Sequence, residues 1–193
     1  MKFIEAQAFI LELMGSKFPK GLDYHSVEHV LDVTNAAGEI AKAENVSGED
    51  LVLLITAALY HDCGFIDSYA NHEDFSCNLA RKHLPAFEYS ESQIEQICDM
   101  IQATRVPQKP HNLLASILVD ADMDYLGRTD FFPIANHLYL EWKYFGMIET
   151  VHEWNKIQLK FLESHRFFTE SSQQRRSAQK AENLAMIRQN LAK

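Results

Sequence analysis

Cysteine is scarce: the 193-residue chain has three, at positions 63, 77 and 98. They are too few and too widely spaced for a disulfide framework or a CxxC zinc site, so a reducing, cytoplasmic setting is expected. Glycine and proline are also sparse, at 7 and 5, which excludes a collagen-like or linker-dominated chain. No apolar run approaches the ~20 residues that a membrane span requires. The N-terminal stretch 1–18 carries Glu5 and Glu12 inside its apolar pattern and has no small-residue cleavage motif, so neither a signal peptide nor a membrane anchor is expected there. Positive charge is in deficit: 18 Lys and Arg face 27 Asp and Glu, a net charge of −9. That balance argues against duplex nucleic acid and against an anionic membrane as partner. A small polyanion remains an acceptable substrate where a metal ion or a local basic cluster receives it.

What is abundant is core material. With 47% hydrophobic residues, the chain has enough apolar side chain to fold around one core, and a single domain over 1–193 is expected. Helical periodicity dominates. Phe3, Ile4, Ala8, Ile10, Leu11 and Met14 form one stripe, and Val30, Val33, Ala36, Ala37 and Ile40 form another. Ser47-Gly-Glu-Asp50 reads as a capping-box start. The following Leu51–Tyr60 is apolar on every face, as in a helix surrounded by other helices. Further helices are predicted near 71–84, 90–105, 112–126, 130–145, 150–164 and 172–191. The breaks fall at Pro85, Pro107–Pro110, Gly127, Gly146 and Ser171–Ser172. No alternating strand pattern is evident, so the class is all-α.

Polar groups interrupt the apolar faces at three places. The buried spine ends in His61-Asp62, where an unpaired carboxylate would be costly unless a cation or hydrogen bonds compensated it. The plainer account is a dipole-stabilised His beside a solvated Asp. His29 lies on the stripe of Val33, Ala36 and Ile40, with His25 one turn before it; a lone core histidine is usually just hydrogen-bonded. In Asp120-Ala-Asp122-Met-Asp124, Asp122 projects with Leu118, Val119, Tyr125 and Leu126. Asp120 and Asp124 share the other face, where solvated or capping roles are expected. Two imidazoles and two carboxylates from three helices thus face one interior. Mixed N/O ligation of this kind suits Mn, Fe, Zn, Ni or Mg, with water completing the shell. Such an ion acidifies its water and polarises a phosphoryl oxygen.

Tyr24-His25-Ser-Val-Glu-His29-Val30, Ala58-Leu-Tyr-His61-Asp62-Cys-Gly-Phe65 and Asp120-Ala-Asp122 with Leu126-Gly127 together resemble the HD superfamily of metal-dependent phosphohydrolases. The resemblance covers 22–127. It implies a helical bundle with a central metal site, in which His29, His61, Asp62 and Asp122 hold a divalent cation and Asp62 would bridge a second ion. Residues 128–193, including Tyr139-Leu-Glu141 and Phe161–His165, look like the C-terminal helices of a prokaryotic subgroup of predicted HD hydrolases. His25 stands where the related cyclic-nucleotide phosphodiesterases place the group that protonates the leaving oxygen, with Ser26 in place of their asparagine. Glu73, in Asn71-His72-Glu73, resembles an acid that orients water or a ligand histidine. The resemblance makes the chain an enzyme that hydrolyses a phosphoester of a small phosphorylated substrate such as a nucleotide. Candidates to hold that anion are Arg105, Lys109, Arg128, Lys143, Lys156, Arg176 and Lys180, most of them expected to be surface charges; Arg128, within two turns of Asp122, is the first choice. Trp142, Trp154 and the aromatic residues of 125–168 are expected in the core, with one available to stack on a base.

Three rival readings exist. His25-Ser-Val-Glu28-His29 matches the H-x-x-E-H metalloprotease signature, but Glu28 should project about 100° away from His29 and the other motifs stay unexplained. A catalytically silent ligand-binding module would keep the fold and the metal. A di-iron oxygenase would need further ligands such as His72, His83 or His111.

Overall fold

The computed structural model describes residues 1–192, which form nine α-helices and three short 3-10 turns, with no strand among them. The helices are α1 (Phe3–Lys17), α2 (Val27–Ala43), α3 (Gly48–Tyr60), α4 (His72–His83), α5 (Glu91–Ala103), α6 (Leu113–Asp122), α7 (Phe131–Tyr144), α8 (Val151–Ser164) and α9 (Glu170–Leu191). None is long and apolar enough to cross a membrane. The spine expected at Leu51–Tyr60 is α3: it packs against α1, α2, α5 and α6, and Leu53, Leu54 and Leu59 are at most 1% exposed. Each such leucine contributes about 1.5–3 kcal/mol by leaving water.

Two hydrophobic cores result. The first, from α1 to α6, is built of Ile, Leu, Val and Ala; the second surrounds the turn Asp124–Gly127 and α7 to α9, and is rich in Tyr, Phe and Trp. Gly127 permits the close approach of α9 to this turn, because a Cβ there would lie 2.5 Å from the Arg176 carbonyl oxygen.

Local expectations fail at four places. Ser47 occupies the cap position of α3 but its side chain makes no cap bond, and Gly48 has φ +64°, outside the backbone a capping box requires. The segment 112–126 is a helix only to Asp122, followed by a 3-10 turn. The break expected at Ser171–Ser172 lies instead at 165–169, where Thr169 Oγ1 accepts from the Ser172 N–H at 3.3 Å and caps α9. Asp120 and Asp124 are not solvated, being 0% and 3% exposed. Asp120 accepts from the N–H groups of Phe168 and Thr169 at 2.8 and 2.7 Å, and Asp124 accepts from Nε and Nη2 of Arg176, both at 2.7 Å. The face opposite Asp122 is covered by the start of α9 and turned into a tether.

Candidate metal centre and cavity

The site forms where three helix ends meet. His29 stands in the first turn of α2, held there by Ser26, whose hydroxyl accepts the His29 N–H at 3.3 Å. His61 follows α3, and its Nδ1 donates to the Ala58 carbonyl at 2.7 Å, which leaves the Nε2 lone pair to face outward from the helix. Asp62 leaves helical geometry at φ −108°, ψ 1°, so neighbours that a helix would splay apart converge. Asp122 ends α6.

Asp62 Oδ2 lies 3.3 Å from His29 Nε2 and 3.2 Å from His61 Nε2; Asp122 Oδ1 lies 3.4 and 3.7 Å from the same two nitrogens. His29, His61 and Asp122 each bring one donor atom into a group no wider than 4.8 Å, a spacing able to hold an ion. His29 Nε2, His61 Nε2 and Asp62 Oδ2 are buried, close together and without a hydrogen-bond partner. Buried polar atoms seldom go unpaired, and this donor set of two imidazoles and carboxylates suits a divalent cation. Burial alone would lower the His29 pKa, yet Asp122 and Asp62 raise it to about 10. Asp62 resists its own burial and is held well below the usual carboxylate range by His61, His29 and His72.

His72 and Glu73 open α4 beside this group. Gly64 allows the approach: a Cβ there would lie 1.9 Å from the His72 carbonyl oxygen. His72 Nε2 is 3.3 Å from Asp62 Oδ1, the oxygen turned away from His29 and His61, and 3.8 Å from Glu73 Oε1. Glu73 is 6% exposed, and its Oε2 accepts from Arg105 Nε at 3.3 Å. Of the extra histidines considered, His72 reaches the site, whereas His111 lies on an exposed loop and His83 packs on Phe9 at the other end of α4.

His25 is held by Glu141 of α7, a fully buried carboxylate. Glu141 Oε2 accepts the N–H groups of Tyr24 and His25, both at 3.0 Å; Oε1 takes His25 Nδ1 in a short bond and the Tyr69 hydroxyl at 2.7 Å. Burial would raise the Glu141 pKa, but these donors, His25 first, hold it below the usual value. The His25 ring stacks on Phe65, and Phe65 stacks on His72, at 4.2 and 4.1 Å between centroids.

His25, Asp62, Phe65, His72, Glu73 and Asp122 line one end of a cavity of about 560 Å³. Its far wall is aromatic and aliphatic, including Trp142, Trp154, Phe131, Leu138 and Phe161, with Gln158 among them. Gln158 is 6% exposed and its Oε1 has no partner. The tryptophans are therefore both core and cavity wall. Arg105 lines the cavity, between Glu73 and Asp74. Lys109 is exposed and outside the wall. Arg128 is also outside it: Nη1 is clamped on Asp32 at 2.8 Å, and Nε and Nη2 on Asp130 at 2.9 and 2.6 Å. Proximity to Asp122 along the chain does not bring Arg128 to the cavity, and those carboxylates meet its charge where it lies. Glu28 is exposed on the outside of α2, which leaves the protease motif without its base.

An all-α bundle gathering His, His-Asp and Asp at its centre defines a class, and the family comparison names it. The HD domain model matches residues 26–124, about half of the chain, and the chain belongs to the HD domain family. No curated protein matches it. Three solved structures share the fold. A predicted HD superfamily hydrolase from an uncultured Thermotogales bacterium is 22% identical, with 96% of this chain and 91% of that chain covered and a TM-score of 0.64. A Lactobacillus plantarum protein is 17% identical, covering 99% and 95%, with a TM-score of 0.71. Bacillus subtilis YpgQ, solved in complex with ADP, is 18% identical, covering 98% and 95%, with a TM-score of 0.67.

Proposed function

We propose that the protein is a metal-dependent phosphohydrolase acting on a small phosphorylated metabolite with a flat organic part, such as a nucleotide. The observation that carries this reading is the convergence of unpaired, buried His29 Nε2, His61 Nε2 and Asp62 Oδ2 beside Asp122, with the two carboxylates lining one end of an aromatic cavity. His29, His61, Asp62 and Asp122 would hold a divalent ion, Mn, Fe, Zn, Ni or Mg, whose chemistry is to acidify water and to polarise a phosphoryl oxygen. His72, 3.3 Å from Asp62 Oδ1, would with Asp62 hold a second cation if one were bound.

The chain's own groups supply the rest. Glu141 takes His25 Nδ1, so Nε2 is left for the cavity side, where a protonated imidazole can deliver a proton to a leaving oxygen, an effect worth about 10²–10⁴ in rate. Glu73 can accept a hydrogen bond from water, and Arg105, at the cavity wall and paired with Glu73 and Asp74, keeps that carboxylate in place. The apolar wall excludes water from the organic part, with Trp142 and Trp154 as stacking surfaces and Gln158 as a polar partner. The ADP held by YpgQ supports a nucleotide as the first substrate class to try.

The test is a screen of phosphorylated metabolites, one divalent metal at a time, with His61→Ala as control. Metal-dependent release of phosphate or of a monoester, absent in His61→Ala, is the expected result. Saturable nucleotide binding without turnover under every metal would replace the enzyme with a binding module.

A further inference from the structure

A second hollow, of about 330 Å³, opens between the C-terminal end of α8 and the face of α9. Its charged side chains are Arg166 and Lys180, and no carboxylate is among its lining residues. In a chain of net charge −9, that is an unusual local excess of one sign. Gln173 and Ser177 add an amide and a hydroxyl on the α9 side, while Leu162, Phe167 and Leu184 supply apolar surface. The nearby Glu163 is already engaged by Arg188 at 2.7 Å.

The floor contains a second, independent signal. His165 lines the hollow and is 7% exposed, yet both ring nitrogens lack a hydrogen-bond partner. Phe167 and Phe161 pack against the ring, at 4.8 and 5.9 Å between centroids. Lys180 Nζ donates to the His165 carbonyl at 2.5 Å and stands 5.8 Å from the Phe167 centroid. Among the described residues it has no carboxylate partner.

We infer that this hollow is a second ligand site, separate from the metal centre, for the phosphate or carboxylate group of a small metabolite whose apolar part rests on Leu162, Phe167 and Leu184. The anion would lie between Arg166 and Lys180, with Ser177 and Gln173 as neutral donors. Burial and the charge of Arg166 push Lys180 down to about 8, the behaviour of a cation that lacks a counter-charge. Leu162 lines both this hollow and the main cavity, so an occupant would adjoin the substrate space without reaching the metal ligands. The inference does not rest on hydrolysis.

The experiment is calorimetric titration of the whole chain, first passed over a chelating resin so that no ion can take the anion. Inorganic phosphate is the probe in one arm and acetate in the other. Expected is saturable binding of at least one, weakened tenfold or more by Arg166→Glu and by Lys180→Met and unchanged by Arg175→Glu, a charge change outside the hollow, where Arg175 pairs with Glu39 at 3.0 Å. Arg166 is exposed, so its variant reports even where Lys180→Met disturbs the carbonyl contact. Binding of phosphate alone assigns a phosphorylated ligand, and binding of acetate as well assigns carboxylates too. No saturation of either at about 10 mM, or binding indifferent to Arg166→Glu and Lys180→Met, would overturn the site.

Discussion

The core enclosed by α1 to α6 is aliphatic and close-packed, with Ile10, Leu54, Ile97 and Val119 all fully buried, whereas the core of α7 to α9 is aromatic and borders a cavity of about 560 Å³. The difference separates two tasks. Small branched side chains interdigitate with few voids, and three helices fixed in that way bring His29, His61-Asp62 and Asp122 to a common point. Large flat rings such as Trp142 and Trp154 instead make walls. The HD domain model stops at residue 124, so the family signature lies almost wholly in the aliphatic half. The aromatic half is where this chain's own selectivity would reside. Glu141 joins the two, since it reaches from α7 to the His25 loop 116 residues earlier.

If the aliphatic half carries the chemistry, the largest effect should come from its donors: Asp62→Ala should remove bound metal and lower hydrolysis by more than about 10³-fold, as read by elemental analysis and turnover. The link between the halves comes next. His25→Ala should cost about 10²–10⁴ in kcat, and Glu141→Gln about 10–100-fold with a shifted pH profile. A double variant no worse than His25→Ala alone would mark Glu141 as acting through His25, while additive losses would separate them.

The halves should also divide stability from affinity. Leu54→Ala, in the fully buried spine, should destabilise by about 2–5 kcal/mol in urea unfolding, whereas Trp142→Ala should chiefly raise KM. A large loss of stability for Trp142→Ala with KM unchanged would return that residue to a purely structural role. Acid should find the aromatic half first through His165, which burial and the charge of Lys180 push down to about 3 from 6.5. The unfolded chain takes up a proton below 6.5 that the folded chain refuses, so stability falls as pH drops from 6.5 toward 3. By pH 5 the loss is about 2 kcal/mol, and His165→Gln should flatten that part of the slope. The smallest effect belongs to Arg128→Gln: with its guanidinium held by Asp32 and Asp130 outside the cavity, KM should change less than about threefold.

Much of the aliphatic half was legible in the sequence, because periodicity within one helix is a sufficient frame for deciding which side chain turns inward. His29 stood out against Val33 and Ile40, and His61-Asp62 against the apolar run before it. The errors over which side chains are free, unlike those over helix ends, turned on partners from elsewhere in the chain. Asp120 and Asp124 lie on the outer face of α6 and its following turn when these are considered alone, and only the return of α9, with Arg176 and the 168–169 amides, buries them. Glu141 sits beside an apolar stripe with nothing local to show that it faces Tyr24, His25 and Tyr69. Arg128 has one partner in plain view, Asp130 two residues on, but the other, Asp32 of α2, is 96 residues away.

The claim beneath all of this is that His29, His61, Asp62 and Asp122 share one cation. Anomalous scattering from crystals of the metal-loaded protein, collected on either side of the metal's absorption edge, tests it directly. A peak within coordinating distance, about 2.0–2.3 Å, of both Nε2 atoms and both carboxylates is the predicted result. A stoichiometric ion bound elsewhere, with those four groups paired only to one another, would contradict it.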